Sequence, residues 1–465
     1  MRPGRFDTFN HVYESKPNTQ LFGFDMISIY PTCAINNEFP EGRFEIISEL
    51  EVLKTIIFCK QSNQHMMNNK KMIGICLLKI TSPTNLKEPF LGSYLSEKGS
   101  DGKFIYGFCN LCIQKKLKTP CKHTEDQRSH TLVLCWPEIN YAVSLGYKVL
   151  QFYECYQYST EAPIFKKFFS LLSREKIRYS KPSKDDLNTY LTEINCGMDY
   201  TGKLALSAKD IQPNTVKKQY YKDFMNAVLG KMGEQTLRTK TVLVRSQNEL
   251  DLIDLPSIEN IFPLKKSCIL FQKNNVKSTR MNIKSNSIIY SYVQSFARIM
   301  MFDAMQRLWQ QNAVIFSISN DALYFSLDRP IQRNDINEGP LFGQFRNELL
   351  DVNRVVAYYS FGSKSSCLVY EDKSGNICQV MKARGFSLSN CISQNVLKSY
   401  DVKTAIQKAL KNEFSSIFVP QKRVKKSIVK VNVQDQLLLY ELTNKIETSR
   451  ILLSNGESKA YGTIN

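Results

Sequence analysis

Several features that are common in other classes of protein are missing from this sequence of 465 residues. The first residues, MRPGRFDTFNHVYE, have no apolar core of the kind that a secretory signal peptide carries. There is no run of about 18 apolar residues that could cross a membrane as a helix. No repeat of fixed period or low-complexity tract is visible either. The sequence therefore predicts an intracellular globular protein, in the nucleus or the cytoplasm, which is neither secreted nor bound to a membrane.

Histidine is scarce, and cysteine is present in an odd number. The chain has 4 histidines and 13 cysteines, and the cysteines are scattered over residues 33 to 391. In a reducing compartment this pattern favours buried thiols with one metal cluster over a disulfide framework. The candidate cluster for a tetrahedral zinc ion consists of Cys109, Cys112, Cys121 and His123. Reduced thiols packed in a core are the open alternative, because the Cys-x-His spacing is unusually short.

Acidic residues are also few in comparison with basic ones. The 62 Lys and Arg residues outnumber the 43 Asp and Glu residues, which leaves a formal net charge of +19. Such a surface attracts polyanions, so nucleic acid is the first partner to consider. The length exceeds the ~250–300 residues at which a single core stops growing, and this predicts two or three subdomains.

Hydrophobic patterning predicts an α+β fold. The segments LFGFD, AVIFSIS and ALYFSLD indicate strands, and the last two flank Asn320 and Asp321. Asn tolerates the positive φ of tight turns, so these two residues are predicted to form the tip of a β-hairpin. Helices are predicted over residues 164–176, 217–232, 289–311 and 395–410.

The stretch FGFDMISIYPT indicates a cation site at the end of a strand. If Leu21, Gly23 and Asp25 share one face, the Asp25 carboxylate points out of the sheet, where a cation could bind. Tyr30 precedes Pro31, whose ring disfavours the α conformation of its neighbour, so an extended Tyr30 is expected. The alternative is an ordinary strand end with a capping Asp and a packed Tyr.

A lysine-bearing helix supplies the second element of a site. Lys218, Lys222, Asn226 and Gly230 are spaced by four residues and share one helix face. Two ammonium groups, an amide and an uncovered stretch of backbone suit a triphosphate lying along the helix. A solvated basic face is the alternative.

The hairpin tip supplies the third element, because Asp321 is its only acid. Adjacent strands lie about 4.8 Å apart, so acids on two neighbouring strands could share a pair of cations. Paired divalent ions stabilise the attacking and leaving oxygens of an in-line phosphoryl displacement. The order of acid, lysine helix and acid is typical of a polymerase.

Three motifs give this pattern a specific resemblance. DMISIYP resembles the D-x-x-S-L-Y-P signature of family B DNA polymerases, KDFMNAVLGK resembles their K-x-x-x-N-S-x-Y-G motif, and SNDALYF stands where they have D-T-D-S. The chain is most similar to the protein-primed branch of Polinton/Maverick elements, adenovirus-like viruses and linear plasmids. RPGRFDTF, NTVKKQYYKDFMN and GSKSS support this resemblance, which covers nearly the whole chain.

The resemblance implies a right-hand polymerase with a palm built on an antiparallel sheet, helical fingers and a thumb, plus a large palm insertion. The implied ranges are palm 1–36, an insertion resembling the terminal-protein-binding region 37–200, fingers 201–240, a second insertion 241–285, palm with the catalytic hairpin 286–365, and thumb 366–465. Because 24 residues precede Asp25, we expect the polymerase half without a proofreading exonuclease.

The resemblance also implies a role for each matching residue. Asp25 and Asp321 would bind two Mg²⁺ or Mn²⁺ ions, together with the backbone carbonyl of Met26. The residues implied to contact the incoming dNTP are Met26, Ser28, Tyr30, Lys218, Lys222 and Asn226. Those implied to contact the DNA template and primer are Gly230, Lys231, Lys364 and Arg384. A terminal protein that primes synthesis is a further implied partner.

Three departures from the family pattern leave a second function open. Ser319 replaces the first acid of D-T-D, Leu229 replaces an aromatic ring in the fingers helix, and Ser366 replaces a tyrosine of the K-x-Y motif. The alternative function is therefore a catalytically weakened or inactive DNA-binding relict. A reverse transcriptase is disfavoured, because those enzymes place two adjacent acids at the hairpin and SNDA has one.

Overall fold

The structure is a computed structural model, and it describes most of the chain. The described residues are 4–95, 103–181, 187–234, 239–244, 258–265, 268–274, 285–362, 364–383, 401–427, 432–446 and 448–464. Helices and antiparallel sheets both occur throughout these ranges. The predicted α+β class is therefore confirmed.

The first half of the chain is rich in strands. Its strands are β1 Phe6–Thr8, β2 Val12–Glu14, β3 Gln20–Met26, β4 Phe39–Ile47, β5 Ile57–Cys59, β6 Gln64–Met67, β7 Lys70–Lys71, β8 Gly74–Thr81, β9 Gly92–Leu95, β10 Lys103–Tyr106, β11 His130–Cys135 and β12 Lys148–Ala162. Its helices are α1 Ile29–Asn36, α2 Leu50–Leu53, α3 Asn110–Gln114, α4 Glu125–Arg128, α5 Trp136–Ser144, α6 Lys166–Arg178, α7 Leu187–Gly197 and α8 Thr215–Met232. Short 3₁₀ turns at Gly202–Leu204 and Ala208–Asp210 lead into α8.

The second half continues with a long helix and further hairpins. Its strands are β13 Thr239–Val244, β14 Ile258–Lys265, β15 Cys268–Asn274, β16 Val314–Ser319, β17 Ala322–Leu327, β18 Phe345–Asn347, β19 Val352–Gly362, β20 Ser365–Asp372, β21 Ile377–Lys382, β22 Ser416–Ser427, β23 Asn432–Thr443, β24 Ile451–Leu452 and β25 Ser458–Lys459. Its helices are α9 Ser287–Gln310, α10 Arg333–Ile336 and α11 Val402–Leu410.

A five-stranded sheet in the order β1-β16-β17-β3-β18 brings the two halves of the chain together. All of its pairings are antiparallel. Phe22 and Phe24 on β3 are buried in the main hydrophobic core, together with residues of α9 such as Met301. Leu21 lies in a separate cluster with residues of β19, as expected for alternate side chains on opposite faces of a strand.

Two further sheets extend this framework. Strands β2, β19, β20 and β21 form a four-stranded sheet, and so do β11, β8, β12 and β4 in that order. Helix α5 packs against both β8 and β11 of the second sheet, and against α9. The β22–β23 pair is a separate two-stranded hairpin.

One disulfide bond corrects the expectation of thiols alone. Cys76 on β8 and Cys155 on β12 are direct cross-strand partners, with Cα atoms 4.1 Å apart, and they form a disulfide. The two residues are separated by 79 positions in the sequence, so their contact depends on strand pairing that local patterns do not specify.

The predicted helices are present with shifted ends. The range 217–232 corresponds to α8, 164–176 to α6 and 289–311 to α9. The range 395–410 corresponds to α11, which begins at Val402, and residues 395–400 lie outside the described residues. Helix α6, which falls in the range expected for the insertion, packs against α8 and α1. In the described part of the chain, no helix is both long enough and apolar enough to cross a membrane.

Candidate active site

A two-residue turn between β16 and β17 presents Asp321. Asn320 takes a positive φ of 61°, as its residue type predicts for this turn. The backbone N–H of Asn320 donates to the Arg5 carbonyl, at 2.9 Å. A Cβ atom on Gly4 would lie 1.7 Å from the Asn320 side-chain oxygen, so the absence of a side chain at Gly4 lets the N-terminal segment close over the turn. Residues 4–9, the described part of RPGRFDTF, therefore help to fix the position of the hairpin tip.

The pairing of β3 with β17 places Asp25 beside Asp321. Asp25 is the cross-strand partner of Ala322, the residue after Asp321, and the Met26 N–H donates to the Asp321 carbonyl at 2.8 Å. Burial and the negative charges of Asp321 and Glu348 raise the pKa of Asp25 to about 6. Burial and Glu348 also raise the pKa of Asp321. The two predicted acids thus share one site, where burial and the repulsion between carboxylates disfavour their ionised forms.

Glu348 is a third acid of this site, which the sequence analysis missed. The Glu348 N–H donates to the Gly23 carbonyl at 2.8 Å, and its carboxylate accepts from the Tyr324 hydroxyl at 3.2 Å. Gly23 is required here, because a Cβ atom would lie 2.8 Å from the Tyr324 ring. The Tyr324 ring is stacked on Tyr358, with centroids 5.0 Å apart.

Arg346, also missed, lies on the other side of Asp25. Arg346 on β18 is the cross-strand partner of Asp25, and its guanidinium lies 3.8 Å from the carboxylate. It opposes the increase in the pKa of Asp25 and lowers the pKa values of Lys176 and Lys218. Arg346 therefore lies between the acids and a group of lysines.

Three lysines face the acids from the helical layer. The positive charge of Lys222 opposes the rise in the pKa values of Asp25 and Asp321, so the predicted lysine face of α8 does point at the site. Lys218, on the same face, is half-buried. Lys176 on α6 is buried and donates to the Ser28 hydroxyl at 2.6 Å, with its ammonium 4.6 Å from the centre of the Phe342 ring.

Lys176 is the residue of this group that sequence reasoning missed. Burial, together with the charges of Lys222 and Lys218, lowers its pKa to about 7. A signal was available, because Lys176 follows Phe169 and Ser173 on the buried face of α6. A lysine on the buried face of an amphipathic helix is uncommon unless a partner compensates its charge.

The predicted extended conformation of Tyr30 is wrong. Tyr30 and Pro31 lie in the first turn of α1, which begins after Ser28 in the left-handed region with φ 53°. Pro31 is tolerated because the first N–H groups of a helix have no intrahelical partner. Instead of being held by Pro31, the Tyr30 hydroxyl accepts a hydrogen bond from the side chain of Asn320 at the hairpin tip.

The remaining residues of α8 divide between the two faces of the helix. Asn226 and Gly230 are exposed, and the space beside Gly230 is open. Lys231 forms an ion pair with Glu234. Leu229, which replaces an aromatic ring of the family motif, is buried in the main core.

The predicted primer-side residues lie around the hairpin. Lys364 is exposed, and its ammonium lies 5.0 Å from the centre of the Phe6 ring. Its charge opposes the rise in the pKa of Asp321. Ser366 lies close to Tyr358 and opposes the rise that burial causes in the pKa of the Tyr358 hydroxyl. Arg384 lies outside the described residues. Ser319 is half-buried at the end of β16, opposite Phe6 of β1.

Two groups of side chains are suited to metal ions. Asp25 and Asp321 fit a divalent cation, because burial and mutual repulsion disfavour their ionised forms unless positive charge is brought close. The predicted zinc ligands also come together, with ligand atoms within 4.8 Å of one another: Cys109, Cys112, Cys121 and His123.

These features bring together an acidic cluster on a five-stranded antiparallel sheet and a basic helical layer. Residues 1–192 match the family described as DNA polymerase type B, organellar and viral. A search of the curated proteins found no match.

Solved structures of phi29 DNA polymerase share this fold. The complex with primer-template DNA and incoming nucleotide substrates has a TM-score of 0.51 at 12% identity, and the orthorhombic crystal form has a TM-score of 0.53 at 11% identity. Each comparison covers 96% of this chain and 61% of that chain, so this chain spans less than two thirds of the phi29 protein. The right-hand polymerase fold is therefore confirmed, and the family match over residues 1–192 supports the resemblance to type B DNA polymerases.

The burial of Asp25 and its repulsion by Asp321 and Glu348 lead to a stability prediction for the metal-free protein. Asp25→Asn removes one of the repelling acids, so it should raise the free energy of unfolding in chelator at pH 7. We expect the free energy of unfolding to rise by about 1 to 2 kcal/mol. This is less than the free energy that corresponds to a pKa of about 6, because solvent screens the Asp25 side chain, which is 28% exposed. An acid with a raised pKa destabilises the fold above that pKa, so the gain should vanish as the pH falls from 6 towards 4.

Denaturant unfolding across this pH range provides the measurement. Asp351→Asn is the matched control, because the Asp351 side chain is 99% exposed, and it should change the free energy of unfolding little at any pH. If Asp25→Asn instead lowered the free energy of unfolding by the same amount at every pH, the account of Asp25 as a buried and repelled carboxylate would be contradicted.

Proposed function

We propose that the chain is a DNA-templated DNA polymerase of the protein-primed family B type, which extends a 3′-hydroxyl with dNTPs. The observation that supports this most is that groups of opposite charge, on a sheet and on two helices, come together at one site. Asp25, Asp321 and Glu348 lie on the sheet, and Lys176, Lys218 and Lys222 face them from two helices. Acids at the reacting phosphate and cations along the triphosphate are what nucleotidyl transfer requires.

The acids would hold the divalent metal ions that the family fold implies. Asp25 and Asp321, with the Met26 carbonyl, are the ligands we propose for two Mg²⁺ or Mn²⁺ ions. Such ions, when bound, stabilise the attacking and leaving oxygens. Glu348, held by Tyr324, keeps the negative charge at the site high, which offsets the loss of the acid that Ser319 replaces.

The lysines would bind the triphosphate of the incoming nucleotide. Lys218 and Lys222 are one helical turn apart on α8, and Lys176 reaches the same place from α6. With a pKa of about 7, Lys176 is only partly protonated near neutral pH. A triphosphate beside it would raise that pKa, so the bound lysine would be charged.

The primer would lie on the opposite side of Asp321. A groove of about 470 Å³ runs beside Glu348, and its lining includes Tyr324, Ser366 and Lys382. Ser366 occupies less volume than the tyrosine of the family motif, which leaves space in this groove. We assign Gly230, Lys231, Lys364 and Arg384 to DNA, and the range 37–200 to contact with a terminal protein.

A second candidate, an inactive DNA-binding relict, is favoured by one observation. The chain has a serine at position 319, across the hairpin from Ala322, and a guanidinium at position 346 beside Asp25, so the site carries less negative charge than two full acidic motifs would supply. Weaker cation binding would follow, while the basic surfaces that bind DNA would be unchanged.

Primer extension distinguishes the two candidates. The purified chain with a primer-template, four dNTPs and Mg²⁺ or Mn²⁺ should extend the primer. Asp321→Ala should reduce extension at least ~100-fold, because a group that stabilises transition-state charge is worth that much. Glu51→Ala, a change at an 82% exposed side chain outside this groove, should extend normally, and equal affinity of all three proteins for DNA would show that they are folded. No extension by the wild type, with DNA binding intact, would favour the relict.

Sugar discrimination is predicted to depend on the Tyr30 ring. Tyr30 lies between the hairpin tip and the Lys176–Ser28 pair, so we propose that its ring excludes a ribose 2′-hydroxyl from the nucleotide sugar. Tyr30→Ala should lower the ratio of dNTP to rNTP incorporation efficiency by roughly 10- to 100-fold, which corresponds to about 1 to 3 kcal/mol. Tyr30→Phe should keep most of the discrimination, because it loses the bond to Asn320 but retains the ring. An unchanged ratio in Tyr30→Ala would leave Tyr30 as a packing residue.

A further inference from the structure

Three thiols converge on one imidazole nitrogen outside the active site. The Sγ atoms of Cys109, Cys112 and Cys121 lie 3.4, 3.3 and 3.4 Å from Nδ1 of His123. The three cysteines are buried and the histidine is half-buried. Cys109 caps α3, Cys112 lies within it, and His123 precedes α4, so the group joins two short helices.

Hydrogen bonding does not account for this arrangement. One imidazole nitrogen carries either one proton or one lone pair, so it satisfies a single partner in line with it. A shared cation satisfies all four groups. With Zn–S bonds of about 2.3 Å and Zn–N bonds of about 2.1 Å, tetrahedral geometry separates sulfur from nitrogen by about 3.6 Å, close to the distances observed.

The backbone around the cysteines is suited to thiolates. The Cys112 N–H donates to the Cys109 sulfur at 3.4 Å, which stabilises a negative charge there. Thr124, next to His123, begins α4 with a capping box that includes Gln127. The loop that carries His123 is therefore held by its own hydrogen bonds.

The C-terminal segment 448–464 passes directly over this cluster. The Phe108 N–H donates to the Tyr461 carbonyl at 2.8 Å, and the Cys121 N–H donates to the Thr463 carbonyl at 2.9 Å. Gly462 has a φ of +85°, and a Cβ atom there would lie 2.4 Å from the Cys109 Cβ. Tyr461 and Ile451 also share a small hydrophobic core with the three cysteines.

The same segment is attached to the N-terminal strand of the active-site sheet. The Ser458 N–H donates to the Phe9 carbonyl at 2.7 Å. The buried Arg450 guanidinium lies 2.6 Å from Glu88 and 3.8 Å from Asp7 on β1. Because β1 pairs with β16 of the catalytic hairpin, the segment links the cysteine cluster to the framework of the proposed active site.

We propose that Cys109, Cys112, Cys121 and His123 bind one structural zinc ion, which fastens the C-terminal segment 448–464 to the palm insertion. The ion holds α3 and the loop before α4 in the arrangement that the segment recognises. Without it, three buried thiols and an imidazole would lose their common partner, and the surface under Gly462 and Thr463 would change. This role is independent of the proposed polymerase activity.

Metal content tests the binding site. The full chain, purified under reducing conditions, should contain one equivalent of zinc by elemental analysis. After exchange with cobalt it should show the near-ultraviolet absorption of thiolate–cobalt charge transfer. Cys109→Ser and His123→Ala should each lose at least ~10-fold in zinc affinity, and Cys196→Ser, a change at an exposed free cysteine, should lose none. The site would be overturned if the wild-type chain held less than one tenth of an equivalent of zinc and showed no thiolate–cobalt absorption. A disulfide between two of these cysteines would overturn it as well.

Hydrogen exchange tests the fastening. Removing zinc from the wild type with a chelator should speed amide exchange at Phe108, Cys121 and the segment 448–464 at least ~10-fold, while β3 stays protected. Gly462→Ala, which leaves all four ligands in place, should weaken zinc binding because its Cβ displaces Cys109. Zinc binding with unchanged exchange in the segment would overturn the fastening. The wild-type experiments need no variant to fold.

Discussion

The constraint on which the rest of the site depends is the antiparallel pairing of β3 with β17 on one side and β18 on the other. This register brings Asp25, Asp321 and Glu348 to one place, although more than 290 positions separate the first from the second. A slip of one residue would turn Asp25 to the face occupied by Phe22 and Phe24. The burial of Phe22 and Phe24 therefore fixes the register of β3, and this register fixes the position of the Asp25 carboxylate.

The charge of the acids is balanced from outside the sheet. Lys222 and Lys218 approach from α8 and Lys176 from α6. Burial and the charges of Lys222 and Lys218 lower the pKa of Lys176, and the charge of Lys222 opposes the rise in the pKa of Asp25. The site is thus preorganised for a ligand that carries positive charge near the acids and negative charge near the lysines. A metal-bound nucleoside triphosphate has this distribution, whereas an uncharged substrate would leave both groups uncompensated.

Local patterns in the sequence were enough to predict the parts of the site that lie within one element. The hairpin tip follows from Asn320 between two apolar runs, the lysine face of α8 from a spacing of four, and the cysteine cluster from ligands in one short segment. Arg346 and Glu348 were missed because their relevance depends on β18 pairing with β3. The Cys76–Cys155 disulfide was missed for the same reason. The predicted extended conformation of Tyr30 was wrong, because the start of α1 overrides the preference for an extended backbone that Pro31 imposes on Tyr30.

The central claim is that acids and lysines form one binding site in which metal ion and nucleotide stabilise each other. Titration of Mn²⁺, followed by its paramagnetic resonance signal with and without dATP, tests this most directly. We expect Mn²⁺ to bind the protein in the presence of dATP roughly 10- to 100-fold more tightly than it binds either the protein alone or free dATP. The variants Asp25→Asn and Lys222→Met should each abolish most of this coupling. Equal Mn²⁺ affinity with and without nucleotide, or coupling that survives both substitutions, would contradict the account.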